Sequence, residues 1–233
     1  SKIRLGYFAS DFYQHAGMIN MLGIFKNHNK KNYEIIGLYY GDIKKDKMHN
    51  KIKQYFDEFY YVENLTDEQI ANFAKKIKVD IAINRSGHTD KARGNIFSFR
   101  AAPIQINYLG YPGTLGQEGI DYIIADKFVI PKEKQKYYSE KIIYINNSFY
   151  PKDNSRVISN QKYTKSELGI SESSFVFCSL NNSYKITPEE FEVWTSILKN
   201  VKNSILVLLS NSDEMRKNII REAVKNNIDP KHI

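Results

Sequence analysis

A single cysteine, Cys178, is present in 233 residues, so no disulfide can close within the chain and nothing opposes a reducing compartment. Its place in an apolar run marks it as a core thiol rather than a nucleophile. Long apolar segments are missing as well. The longest purely aliphatic run, 205–209, falls far below the ~20 residues needed to cross a bilayer. No signal-peptide pattern opens the chain, and a soluble, cytoplasmic protein that is not exported is expected. No internal repeat or low-complexity tract is visible. Neither G-x-G-x-x-G nor the Walker pattern occurs. His28, His49 and His232 lack acidic or cysteine partners at metal-ligand spacing, so no metal site and no cofactor are expected.

What is present is a chain with 42% hydrophobic residues and a formal charge of +8, enough apolar material for real cores. The charge is dispersed. Its densest runs, 44–47 and 132–136, have acids among the lysines and read as solvated helix faces or loops. They do not form the clustered stripe that nucleic-acid binding needs. Aromatic residues, 13% of the chain, are scattered through strand-like runs and read mostly as core.

Apolar periodicity alternates between period 2 and period 3.6. Strands are expected at 3–9, 33–40, 59–62, 80–84, 104–108, 122–125 and 142–145, and helices at 17–26, 47–55 and 67–78, the last opening on a capping pattern at Thr66. This is the signature of a doubly wound parallel sheet. Periodicity lapses over 149–165, where Pro151, Asp153, Asn154, Ser155, Ser159 and Asn160 accumulate. A fresh pattern then gives strands at 175–178 and 205–209 and helices at 188–200 and 213–226. The expected organisation is an α/β lobe at 1–150, a connector at 151–165, and the beginning of a second, incomplete α/β lobe at 166–233.

Ligands of open α/β sheets bind beyond the carboxyl ends of the strands, and four polar segments fall there. The strand at 175–178 runs into Leu180-Asn181-Asn182-Ser183-Tyr184-Lys185, after which Thr187-Pro188-Glu189-Glu190 makes a capping box with proline at the first helical position. Lys185 therefore sits between a strand end and a helix N-terminus, as a diphosphate anchor or an ordinary exposed loop lysine. Asp11 and His15, after the first strand, either converge on the crevice to handle protons or sugar hydroxyls, or cap and pack the helix that follows. Gly87-His88-Thr89 admits the same two readings. Gly110 to Gly116, stiffened by Pro112, either lets backbone approach a ligand or is a tight turn.

Together these segments resemble the catalytic region of the O-GlcNAc transferase and Spindly family, glycosyltransferase family 41. The resemblance runs in order through the blocks beginning at Lys2 and Ser10, Gly87-His88-Thr89, Arg100-Ala101-Ala102-Pro103-Ile104-Gln105, Leu109-Gly110-Tyr111-Pro112-Gly113-Thr114, Asp121-Tyr122-Ile123-Ile124, Tyr138-Ser139-Glu140-Lys141 and Asn181 to Ile186. It implies a two-lobe GT-B fold with Rossmann-like lobes, and inverting, metal-independent sugar transfer from a nucleotide sugar to Ser or Thr of a protein acceptor. By the same resemblance Lys185 stabilises the departing diphosphate, His15 lies over the donor sugar, and Asp11 lies near the acceptor or proton path. Leu109, Gly110 and Pro112 wall the sugar pocket, while Asn182, Tyr184, Tyr150, His88 and Thr89 contribute to donor binding. The expected donor is UDP-GlcNAc.

Some positions depart from the animal O-GlcNAc pattern: Ala16-Gly17 replaces Pro-Thr, and His88 and Asn181-Asn182 are closer to Spindly-like members that transfer fucose. Glucose or fucose transfer is the alternative within the class. A non-catalytic binding module on a degenerate fold is the alternative outside it. The family's tetratricopeptide repeats and the remainder of its second lobe are not in this sequence, so a fragment inactive by itself is expected.

Overall fold

The computed structural model describes residues 2–44 and 46–233, so Lys45 of the basic run at 44–47 lies outside the described residues. Two compact units are present, Ser1–Val157 and Ile158–Ile233.

The first unit alternates β1 (Ile3–Ala9), α1 (Ala16–Asn27), β2 (Tyr33–Tyr39), α2 (Lys47–Lys53), β3 (Glu58–Tyr61), α3 (Asp67–Lys76) and β4 (Ile81–Asn84). A short α4 (Asn95–Ser98) then leads to β5 (Ile104–Asn107), β6 (Tyr122–Ala125) and β7 (Lys141–Tyr144). The strands lie in the order β3-β2-β1-β4-β5-β6-β7, and every pairing is parallel. Helices cover both faces, which is why β1 from Leu5 and β2 from Ile35 onward read as unbroken apolar runs. Successive residues of a strand go to opposite cores. Leu5, Tyr7, Ala9, Ile35 and Tyr39 pack with Met18, Met21, Leu22 and Phe25 of α1, whereas Phe8, Ile36 and Leu38 pack with Ile70, Ala71 and Ala74 of α3.

Aromatic rings concentrate on the α1 side. Phe12 makes edge contacts with Tyr39, Phe56 and Phe59 at centroid distances of 5.7, 5.4 and 5.3 Å. The imidazoles outside the crevice are tied into the frame: buried His49 lies 2.7 Å from Phe12 O and 2.9 Å from Tyr61 Oη, and His28 Nε2 lies 2.8 Å from Tyr7 Oη. At Thr66 the side chain accepts from Gln69 N at 3.2 Å while Gln69 reaches back to Thr66 N at 2.9 Å, the capping box that starts α3.

The first unit continues to Val157, into the stretch read from composition as a connector, because α1 holds it. Lys152 O would lie 2.8 Å from a Cβ on Gly23, so only glycine admits the tail there. Lys26 Nζ binds Asp153 Oδ2 at 2.8 Å.

In the second unit β8 (Phe175–Ser179) pairs in parallel with β9 (Ser204–Leu208), flanked by α5 (Pro188–Asn200) and α6 (Asp213–Lys225). Phe191, Leu206, Ala223 and Ile228 are its buried centre. Cys178 is exposed, correcting the expectation of a core thiol. Its neighbour Phe177 packs into the core, so the alternation of a strand turns Cys178 to the opposite face of a two-stranded sheet. Phe175 and Tyr184 are likewise exposed, so the aromatic residues are core in the first unit more than in the second. No helix among the described residues is long and apolar enough to cross a membrane.

Hydrogen bonds from Lys26 and then Ser155 hold the Asp153 carboxyl at about 2, below the ordinary ~4. A depressed carboxylate stabilises the fold fully above its unfolded value, and that contribution fades as pH falls from about 4 toward about 2. Asp153→Asn should lower the thermal midpoint at neutral pH and flatten the loss of stability across this acid window, as followed by circular dichroism melts.

Candidate active site

The strand order reverses direction between β1 and β4, and the loops leaving their carboxyl ends carry Asp11, His15, His88 and Thr89 of the polar residues singled out in the sequence. Ser10 and Asp11 follow β1. Arg85, Ser86, Gly87 and His88 follow β4, and Tyr108, Leu109 and Gly110 follow β5. In doubly wound sheets this is where the crevice opens.

Asp11 and His15 meet. Asp11 Oδ2 lies 2.8 Å from His15 Nδ1, with Asp11 buried and His15 half exposed. His15, not Asp11, is the N-cap of α1, and Gly17 N approaches the same Nδ1 at 3.2 Å. The Gly17 contact is a hydrogen bond in which Nδ1 accepts, while the Asp11 contact is a close approach of carboxylate and ring.

Sequence reading passed over Arg85. Its side chain is 3% exposed and its Nη2 pairs with Asp11 Oδ2, so one carboxylate oxygen serves both guanidinium and imidazole. The missed signal was an arginine directly after an apolar strand, at the point where β4 meets the crevice. Asp11 Oδ1 and Arg85 Nε are buried without protein partners.

Leu109 is buried against the α1-side core, and Gly110 N donates to Arg85 O at 2.9 Å. Pro112 O accepts from Tyr138 Oη at 3.1 Å. Glu140, itself buried, anchors the loop by accepting from Thr114 Oγ1 and Leu115 N, each at 2.7 Å. His88 Nε2 lies 3.1 Å from Leu115 O, with its ring 5.4 Å from that of Tyr111, and Thr89 Oγ1 donates to Ser86 O at 2.7 Å. Gly87 has φ +58, and a Cβ there would come 2.6 Å from Tyr111 Cβ. Tyr150 accepts at its hydroxyl from Asn20 Nδ2 of α1 at 3.0 Å. Burial pushes the Tyr108 phenol up to about 12, keeping it a neutral donor to Phe149 O at 2.8 Å.

In the second unit Ser183–Lys185 forms a single 3-10 turn with Asn182 as its N-cap. Asn182, Tyr184 and Lys185 are all exposed. Lys185 has no ion-pair partner among the described residues. The capping box expected at Thr187 is present: Glu190 N donates to Thr187 Oγ1 at 3.3 Å, and Thr187 N donates to Glu190 Oε2 at 3.1 Å. Lys185 thus precedes a firmly started 13-residue helix. Among the described residues no group of three His, Cys, Asp or Glu side chains is gathered in a way that could hold a metal ion.

Other blocks of the family resemblance serve the frame. Arg100 reaches Pro103 O, Gly119 O and Asp121 Oδ2 at 2.7, 3.0 and 2.9 Å. Gln105, fully buried, accepts from Ala101 N at 2.7 Å and donates to Phe97 O at 2.8 Å. They hold β5 and its loop in place rather than facing the crevice.

A parallel, doubly wound sheet with a charged cluster at its switch point defines a Rossmann-like lobe of the GT-B type. The chain belongs to glycosyl transferase family 41, whose family model matches residues 1–164 and 154–233. It is 35% identical over 213 residues to SEC of Arabidopsis thaliana, named as a probable UDP-N-acetylglucosamine–peptide N-acetylglucosaminyltransferase, covering 89% of this chain and 22% of that protein. SPINDLY of Oryza sativa subsp. japonica, which bears the same enzyme name, is 28% identical over 208 residues, with 88% and 22% covered. The chain thus spans about a fifth of the length of these relatives. Among solved structures, a mutant of the Thermobaculum terrenum O-GlcNAc transferase shares the fold with a TM-score of 0.86 at 20% identity, over 99% of this chain and 44% of that one. Anabaena HepE, solved with UDP and glucose, gives 0.56 at 11% identity, over 97% and 67%.

Gly110 and Gly113 separate the two demands on the loop after β5. A Cβ on Gly110 would lie 2.3 Å from Arg85 O and 2.7 Å from its Nη1, whereas one on Gly113 meets only the exposed Tyr111 ring. Urea unfolding should show Gly110→Ala destabilised by about 1–3 kcal/mol, and Gly113→Ala within about 0.5 kcal/mol of the parent.

Proposed function

We propose that the chain is the sugar-transfer portion of a protein O-glycosyltransferase that moves GlcNAc from UDP-GlcNAc to Ser or Thr hydroxyls, with inversion and without a metal ion. The observation that carries this reading is the Asp11–His15 pair, braced by Arg85, at the switch point of a family 41 chain. The name borne by SEC supplies the donor and the acceptor class.

In such a transfer the acceptor hydroxyl oxygen bonds to the anomeric carbon as the bond to the diphosphate oxygen breaks. The hydroxyl proton passes to a basic group on the proton path beside Asp11, and the diphosphate leaves with the electron pair. Negative charge therefore grows on the leaving group, and a cation fixed near it counts most in the transition state. Lys185 takes that role: its ammonium is free of carboxylate partners among the described residues and sits one turn ahead of the α5 N-terminus, which adds its own positive field. His15 lies over the donor sugar with Nε2 toward the reacting groups, and Asp11 lies on the proton path. Leu109, Gly110 and Pro112 form the sugar wall, and His88, Thr89, Tyr150, Asn182 and Tyr184 supply further donor contacts.

Fucose as the transferred sugar is the reading favoured by His88 and Asn181-Asn182, and glucose is the other alternative within the class. Incubation of the complete protein with labelled UDP-GlcNAc, UDP-glucose and GDP-fucose decides among them, and the expected outcome is label from UDP-GlcNAc alone. In the complete protein Lys185→Ala should lower kcat by about 10²–10³-fold while leaving the KM for donor within a few fold. Near-normal turnover would remove the leaving-group role.

A further inference from the structure

Around Asp11 and His15 most of the space is already taken. Arg85 fills the α1 side of the Asp11 carboxylate so tightly that a Cβ on Gly17 would fall 2.0 Å from Arg85 Nη2. Leu109, Gly110 and Pro112, the proposed sugar wall, follow β5 and so lie on the β4 side of β1. The other neighbour of β1 is β2, and the loop joining β2 to α2 is the remaining rim. That loop is pressed onto the one after β1. A Cβ on Gly41 would fall 1.9 Å from Ser10 O, and Gln14 N donates to Asp46 Oδ2 at 2.8 Å.

Tyr13 stands on this rim, half buried, with its ring centroid 6.1 Å from that of His15. Lys44, from the loop after β2, places Nζ 4.4 Å from the centre of the Tyr13 ring. An aromatic face attracts an ammonium through its quadrupole but carries no charge, so it steadies the cation without neutralising it. The acids nearby are committed elsewhere. Asp11 pairs with Arg85, Asp46 accepts from Gln14 N and His49 N, and Lys91 faces both Asp42 and Asp90. Lys44 has no carboxylate partner among the described residues.

We infer that Lys44, steadied over Tyr13, determines acceptor specificity: it receives a carboxylate side chain of the polypeptide whose Ser or Thr hydroxyl lies at His15. The two spacings of 6.1 and 4.4 Å, taken end to end, put the ammonium no farther than 10.5 Å from the His15 ring centre. An extended chain advances about 3.3–3.6 Å per residue, so the preferred acceptor carries Asp or Glu within about three residues of the modified hydroxyl. The kinetic part of this inference rests on the proposed sugar transfer. The binding part does not.

Serine peptides of one length, carrying Glu, Gln or Lys within three residues of the serine on either side, are the probes. In the complete protein the best Glu peptide should exceed its Gln counterpart in kcat/KM by about two- to fivefold, the size of an exposed ion pair, and the advantage should shrink as salt is raised. Lys44→Gln should abolish the preference and Lys44→Glu should hand it to the Lys peptide, with donor KM within about twofold in both. Tyr13→Phe, which keeps the ring, should retain the preference, and Tyr13→Ala should weaken it. A parent protein indifferent to Glu, or a Lys44→Gln protein that still prefers it, overturns the inference. The same peptides titrated into the 233-residue chain give a readout without turnover: the Glu peptide should shift the NMR signals of the Lys44 side chain and the Tyr13 ring, and the Lys peptide should leave them in place. If the complete protein transfers sugar to no acceptor, the proposed function fails, and the titration decides the role of Lys44: shifts with the Glu peptide alone uphold it, and their absence overturns it.

Discussion

A guanidinium taken out of water has to be matched by a charge, and in this lobe the match is a single carboxylate. Arg85 and Asp11 come from the ends of different strands. Losing either partner would leave an uncompensated buried ion, which costs several kcal/mol. The pair therefore ties β1 to β4 at the point where the sheet changes direction. The Asp11 contact to His15, the glycine at the start of α1 and the glycine in the loop after β5 are all arranged around it. The crevice is shaped by this constraint as much as by any group that would touch a ligand.

The frame around the crevice was largely legible in the sequence because its signals are local. Apolar runs from Leu5 in β1 and from Ile35 in β2 reflect burial on both faces, and Thr66 and Thr187 announce their helices within four residues. The strands and long helices stand within a few residues of where periodicity places them. Helix α4, one turn long, has no room to show a period. The 3-10 turn at Ser183–Lys185 is equally short.

The site was legible in part. Asp11 and His15 lie four apart and do come together, but the cap of α1 is His15 rather than Asp11. Arg85 was not legible, because its partner is 74 residues away and nothing local announces a long-range ion pair. Cys178 misled for a related reason. An apolar strand predicts that one face is covered, but which face, and by what, is decided by elements elsewhere in the chain. Recurring blocks such as Arg100 to Gln105 show a third limit, since a motif that persists because it locks a turn looks the same in sequence as one that handles a ligand.

The tail of the first unit lies along α1, with Tyr150 on Asn20, Lys152 over Gly23 and Asp153 on Lys26. The opposite end of that helix carries His15. Tension on the polypeptide leaving this unit must therefore either strip the Lys26 clasp or drag the rod it is fastened to. The imidazole rides on the same rod, so mechanical load on the tail is felt at the crevice before any strand of the sheet has to shift.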